Sequence, residues 1–242
     1  MNPITRFALN TTVGAALMPA AALAAAPPSC AAHSTTQPPA IVELYTSEGC
    51  SSCPPADRWL STLKGRNDVI ALAFHVNYWD HLGWPDRFAT PAITERQHQI
   101  QHSSGARYVY TPQVLQNGRD WRDWGGTPTR PPASGVVLSL KRDGDTVNAN
   151  IGPGTGRMAG YWAVVEDGHS SGVRAGENAD QTLHHDHVVT LYRPVDAWPA
   201  QAGARQLSLT VPAGAIGVVR RTVFVVTDAA SQRPLQALAL GC

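Results

Sequence analysis

The segment "TSEGCSSCPPA" sets Cys50 and Cys53 two residues apart, with two prolines directly behind them. A C-x-x-C pair can exchange disulfides, supply two ligands to a metal, or close a permanent bridge. Exchange requires a thiolate, so neighbouring charge matters. Ser51 and Ser52 offer hydroxyl donors that favour a thiolate, whereas Glu48 brings a negative charge that opposes one. Pro54 and Pro55 remove two backbone N–H groups and stiffen the following turn. So short a loop gains little chain-entropy stabilisation from a bridge, which suits exchange better than stapling. A second cluster, "LHHDHVV" from Leu183 onward, holds His184, His185 and His187. Strand alternation would put His185 and His187 on one face, close enough to share copper or zinc. His75 and His81 lie elsewhere, and His98 and His102, four apart on a helical segment, lack the H-E-x-x-H pattern.

These groups need elements to hold them. "AIVELY" reads as a strand with Ile41, Glu43 and Tyr45 on one face and Val42 and Leu44 on the other. "PADRWLSTLKG" predicts a helix beginning behind the cysteines and stopping at Gly65, and "DVIALAFHV" a strand buried on both faces. Together they form a βαβ signal. Thr90 and Pro91 open a second helix that runs to about residue 103. "YVYTPQVLQNGRDW" predicts two strands around a Thr-Pro break and a hairpin turn at Asn117-Gly118. "GGTPTRPPASG" is nearly all turn formers and places a boundary near residue 130. Beyond it, "GVVLSLKRDG", "TVNANIG", "GYWAVVED", "HVVTLYR", "ARQLSLTV" and "RTVFVVTD" predict an antiparallel sandwich.

A strand leading into C-x-x-C at a helix start, inside a βαβ unit, is the arrangement of thioredoxin-like redox sites. The helix N-terminus favours a thiolate on Cys50, the attacking sulfur, while Cys53 resolves the mixed disulfide. Thioredoxin-like domains also carry a cis-proline facing this pair, and Thr111-Pro112-Gln113-Val114 resembles that segment, with Thr111 and Pro112 aligning substrate backbone. Glu43 takes the place of the strand carboxylate that can accept the resolving cysteine's proton. Tyr78, Trp79 and Trp84 of "NYWDHLGW" form either a substrate-facing apolar platform or local core.

Ser47 to Asp57, "SEGCSSCPPAD", together with "FHVNYWDHLGW", "YTPQV" and the Gly176-Glu177-Asn178 triplet, resembles a family of secreted bacterial proteins, domain of unknown function 1223. The resemblance runs from about residue 40 to 240. It implies a thioredoxin-like domain and no established reaction. No role for Glu177 or Asn178 follows from it.

Composition narrows the partners. At 43% hydrophobic and 15% charged residues the chain is of ordinary globular type, and a net charge of +1 with no basic stripe argues against nucleic acid. Residues 1–26, with Arg6 ahead of an Ala/Leu-rich stretch and small residues at the end, read as a cleaved signal peptide. No later stretch is long enough to insert in a membrane. The expected order is therefore signal peptide 1–26, disordered leader 27–39, an α/β thioredoxin-like domain over 40–130, and a β-rich, sandwich-like domain over 131–242. In an exported chain four cysteines favour disulfides, and the simplest of three connectivities is Cys30–Cys242 plus Cys50–Cys53. The expected function is a periplasmic or secreted thiol-disulfide oxidoreductase that needs no cofactor and acts on cysteine-containing proteins. The alternatives are copper or zinc delivery, or a non-catalytic binding protein with a static bridge.

Overall fold

The computed structural model describes residues 30–211, 214 and 217–242, so the signal peptide expected at 1–26 lies outside the described residues. The first strand, β1 (Ala31–His33), falls inside the segment expected to be a leader without regular structure, and pairs antiparallel with Ser139–Lys141. Next, β2 (Ala40–Thr46) leads through the cysteines into α1 (Pro54–Ser61) and returns as β3 (Val69–His75), parallel to β2. A 3-10 turn at Asp80–Leu82 precedes α2 (Pro91–Ser104). Thr90 caps α2 by accepting from the Ile93 N–H, and Gly105, at φ 71°, ends it in the left-handed region that favours glycine. β4 (Gln113–Gln116) and β5 (Arg119–Asp120) form the expected hairpin about Asn117-Gly118, both at positive φ.

The second half is all strand: β6 (Leu138–Asp143), β7 (Thr146–Ile151), β8 (Arg157–Glu166), β9 (His169–Gly172), β10 (Thr182–His185), β11 (Val188–Pro199), β12 (Arg205–Thr210), β13 (Arg220–Asp228) and β14 (Pro234–Leu240). Each of the six segments picked out after residue 130 forms a strand. β9, β10 and β14 were not among them.

The expected fold class, an α/β thioredoxin-like domain followed by a β-rich one, is overturned by the sheet order. The described residues are mostly in β-sheet, with 42% strand and 12% helix. One eight-stranded sheet runs β14-β13-β8-β11-β3-β2-β4-β5, so strands from both halves share it. The reason is that the far side of β3 is taken by β11, through one parallel bridge between Val188 and Ala73, more than a hundred residues apart in sequence. Beyond that position β11 pairs only with β8.

β8 explains how the two parts lock together. It is buried on both faces: Tyr161, Ala163 and Val165 join Ile41, Tyr45, Leu72 and Phe74 in a core that α2 covers with Ile93 and Ile100. The alternate residues Met158, Trp162 and Val164 face a second core shared with the four-stranded sheet β1-β6-β7-β12. A third core holds α1 through Ala56, Leu60 and Leu63 against Val42, Leu44, Ala71 and Ala73. The Cys30–Cys242 disulfide joins the first described residue to the last.

Candidate functional site

Cys50 and Cys53 are joined in a disulfide with Cα atoms 5.4 Å apart. Cys53 is the N-cap of α1 without a side-chain capping bond, and Pro54 and Pro55 occupy the first helical turn as expected. The Ser52 hydroxyl stands 3.4 Å from Cys50 Sγ. Both sulfur-bearing residues are fully buried, at 0% exposure, whereas disulfide exchange needs the attacking sulfur to be reachable.

Two features close over them. A turn between β9 and β10 brings Glu177 and Asn178 onto the cysteine segment. The Asn178 amide donates to the carbonyls of Glu48 (2.9 Å) and Cys50 (3.0 Å), and the Glu177 carboxylate accepts from the Ser51 N–H (2.9 Å) and hydroxyl (2.8 Å). On another side a β-carbon at Gly49 would fall 2.8 Å from Trp79 Cβ, so only glycine allows Trp79 this close. Trp79 in turn donates its indole N–H to the Thr111 hydroxyl at 2.8 Å, which ties it to the cis Thr111-Pro112 bond. Since Tyr45 pairs with Gln113, Thr111 and Pro112 lie at the end of the sheet from which the cysteine segment leaves. Tyr78 and Trp79 are half-buried and pack against the α2 core.

Next to this segment lies a buried group of titratable side chains. Glu48 accepts from the Trp84 indole (2.7 Å) and lies 3.5 Å from His185 Nε2. His185 Nδ1 lies 3.9 Å from Asp57, which accepts from the Thr46 hydroxyl at 3.0 Å. Burial disfavours a charged His185, but the nearby carboxylates of Asp57 and Glu48 outweigh it and raise the pKa to about 9. Burial likewise disfavours an ionised Glu48, and the polar groups around it, His185, Ser171 and the donating Trp84 indole, hold its carboxyl below the usual value. His75 meets Asp86 at 2.6 Å and its ring stacks edge-on against His185 at 5.0 Å. Burial raises and His75 lowers the Asp86 pKa, leaving it at about 2. The flanking charge that seemed to oppose a thiolate, Glu48, is thus matched by a cationic imidazole.

Two expectations change. Glu43 does not reach the cysteines: the pleat that sends Val42 and Leu44 toward α1 sends Glu43 to the opposite face. There it pairs with Arg96 (2.6 Å) and accepts from the Tyr161 hydroxyl (2.6 Å), with the Arg96 guanidinium 4.2 Å from the Tyr161 ring. His185 and His187 do not share a face, because β10 ends at His185 and His187 adopts φ 58°, which breaks the alternation. His187 turns to Asp167 and Arg221 instead. Among the described residues no three or more His, Cys, Asp or Glu side chains gather as a metal site.

The family model described as "Protein of unknown function (DUF1223)" matches residues 41–227. The chain belongs to this family. Protein AGR_C_4864 from Agrobacterium tumefaciens has a similar solved structure, at TM-score 0.62 and 27% identity, covering 86% of this chain and 96% of that one. HBP35 of Porphyromonas gingivalis is similar at TM-score 0.59 and 12% identity, over 85% of this chain and 75% of that one, a likeness of fold alone. No curated protein matches. Two disulfides are in keeping with an oxidising compartment, and among the described residues no helix is long and apolar enough to cross a membrane.

Proposed function

We propose that the Cys50–Cys53 pair exchanges disulfides with cysteine-containing proteins in the periplasm or outside the cell. In the dithiol form the Cys50 thiolate attacks one sulfur of a partner disulfide, and the other partner sulfur leaves as a thiolate. Cys53, deprotonated in turn, attacks Cys50 Sγ and releases the second partner thiolate. The partner gains two electrons and the pair becomes the disulfide; the reverse sequence oxidises a partner dithiol. Thr111 and Pro112, at the same end of the sheet, align the partner backbone, and Trp79 keeps Thr111 in place.

The observation that carries this reading is the position of the bridge: it closes the N-terminus of α1, beside hydroxyl donors and a carboxylate already paired with His185. A partner reaches Cys50 once the Glu177–Asn178 turn lifts away.

The test is the equilibrium reduction potential of the pair, read by thiol alkylation across a glutathione series with Cys50→Ser as control. A potential of about −120 to −270 mV supports exchange, whereas one below about −300 mV makes the bridge a static brace.

A further inference from the structure

At the far end of β3 from the cysteines, the eight-stranded sheet is open. Its single bridge at Val188 leaves the start of β3 without a neighbour on the β11 side. The direction of each β3 backbone group follows from two bonds. The Asp68 carbonyl accepts from Ala40 of β2, so even-numbered residues face β2; the Ala73 N–H donates to the His187 carbonyl, so odd-numbered residues face away. Val69 and Ala71 therefore turn both N–H and C=O toward the gap, where, among the described residues, β11 does not reach them and no hydrogen-bond partner meets them. They are nonetheless 8% and 5% exposed, and buried backbone groups are rarely left unpaired.

The gap is a cavity of ≈ 610 Å³, in the size range of ligand sites, walled on the other side by Val223 and Leu238. His187 lines it and is 4% exposed, and its Nε2 has no partner. Because Arg221 donates toward His187 Nδ1 at 3.1 Å, the imidazole proton sits on Nε2, which makes that atom a donor awaiting an acceptor. Burial, the chief cause, holds the ring neutral, with its pKa lowered to about 4. Of the arginines around the cavity, Arg66 pairs with Asp68 (2.6 Å) and Arg221 with Asp167 (2.9 Å), while Arg130 donates to the Pro38 carbonyl (3.0 Å) and among the described residues has no carboxylate paired with it, which leaves the lining net positive.

We propose that this cleft binds a short extended peptide segment carrying a carboxylate, whose backbone pairs with Val69 and Ala71 and which gives an acceptor to His187 Nε2. A peptide offers alternating N–H and C=O groups, as this edge requires, whereas a simple anion leaves the two carbonyls unmet. The arginines select an acidic segment over a basic one. The site stands apart from the cysteine pair and does not depend on it.

The probe is acetyl-Val-Glu-Val-Glu-amide, with the Lys-for-Glu peptide as counterpart, titrated into the full chain and followed by NMR and amide hydrogen exchange. Expected is saturable binding of the acidic peptide, with exchange at Val69 and Ala71 slowed by about tenfold or more as these N–H groups gain partners. His187→Asn, which tolerates the left-handed backbone but is too short to reach, weakens binding by about tenfold. Ala71→Pro removes an N–H that β2 does not use and weakens it further. Should that variant fail to fold, the exchange measurement on the unmodified chain still decides. Absence of saturable binding, equal binding of the lysine peptide, or binding that leaves Val69 and Ala71 exchange unchanged overturns the proposal.

Discussion

The side-chain amide of Asn178 donates to the Cys50 carbonyl at 3.0 Å, across 128 residues of sequence. It joins a β9–β10 turn to the cysteine pair and, with Glu177 on Ser51, keeps the bridge out of solvent.

Asn178→Ala should therefore expose the disulfide. The Glu48 and Cys50 carbonyls lose a buried donor, which destabilises the closed turn by about 1–3 kcal/mol. Reduction by dithiothreitol, followed by alkylation and mass spectrometry, is expected to speed up about tenfold. An unchanged rate would mean the turn does not gate access.

Glu43 predicts a contrast between stability and chemistry. Glu43→Gln leaves Arg96 buried without its counter-charge, and urea unfolding should show a loss of about 3–5 kcal/mol. The potential of the Cys50–Cys53 pair should not move. A shifted potential with unchanged stability would return Glu43 to the role of proton acceptor.

Stability should pass through a maximum near pH 6.5. The folded pKa of His185, raised from 6.5 to about 9, makes its contribution complete below 6.5 and lost as pH rises to 9. That limb is on the order of 3 kcal/mol. The folded pKa of His187, lowered from 6.5 to about 4, makes its contribution complete above 6.5 and lost as pH falls to 4. Asp86, lowered from 3.8 to about 2, adds a further loss between those values. Urea midpoints against pH read all three, and His185→Gln should flatten the alkaline limb. A midpoint that stays level from pH 6.5 to 9 in the unmodified chain would remove His185 as a charged group.

The two bridges should differ in what they hold. Cys30–Cys242 spans a sequence separation of 212 and Cys50–Cys53 a separation of 3. By chain entropy the first is worth about 5 kcal/mol and the second about 2 kcal/mol. Replacing Cys30 and Cys242 by serine should lower the melting temperature far more than replacing Cys50 and Cys53. Equal losses would argue that the short bridge is a brace.

Much of the local structure was legible in the sequence, since its causes are local. Thr90 and Pro91 open α2, Asn117-Gly118 turns the hairpin, and the strand–C-x-x-C–helix–strand run appears as β2, α1 and β3. Parity and compartment were enough for both disulfide pairings. The side of β2 that bears Glu43 followed from alternation, but which face α1 covers did not, so its role was misassigned. Strand alternation also misled at His185 and His187, because a positive φ at His187 interrupts it.

What only tertiary structure decided is which distant strands meet. No local signal states that β11 will take the open side of β3 and merge the two halves into one sheet, for such pairing depends on burying both faces of β8 at once. The same long-range packing carries Glu177 and Asn178 to the cysteine segment and His185 to Glu48, and among the described residues it leaves Val69 and Ala71 without partners. Residue type and spacing determined the chemistry this chain can attempt; Glu177 and Asn178, which cover it, and His185, which brings charge beside Glu48, lie more than a hundred positions away, where periodicity cannot register them.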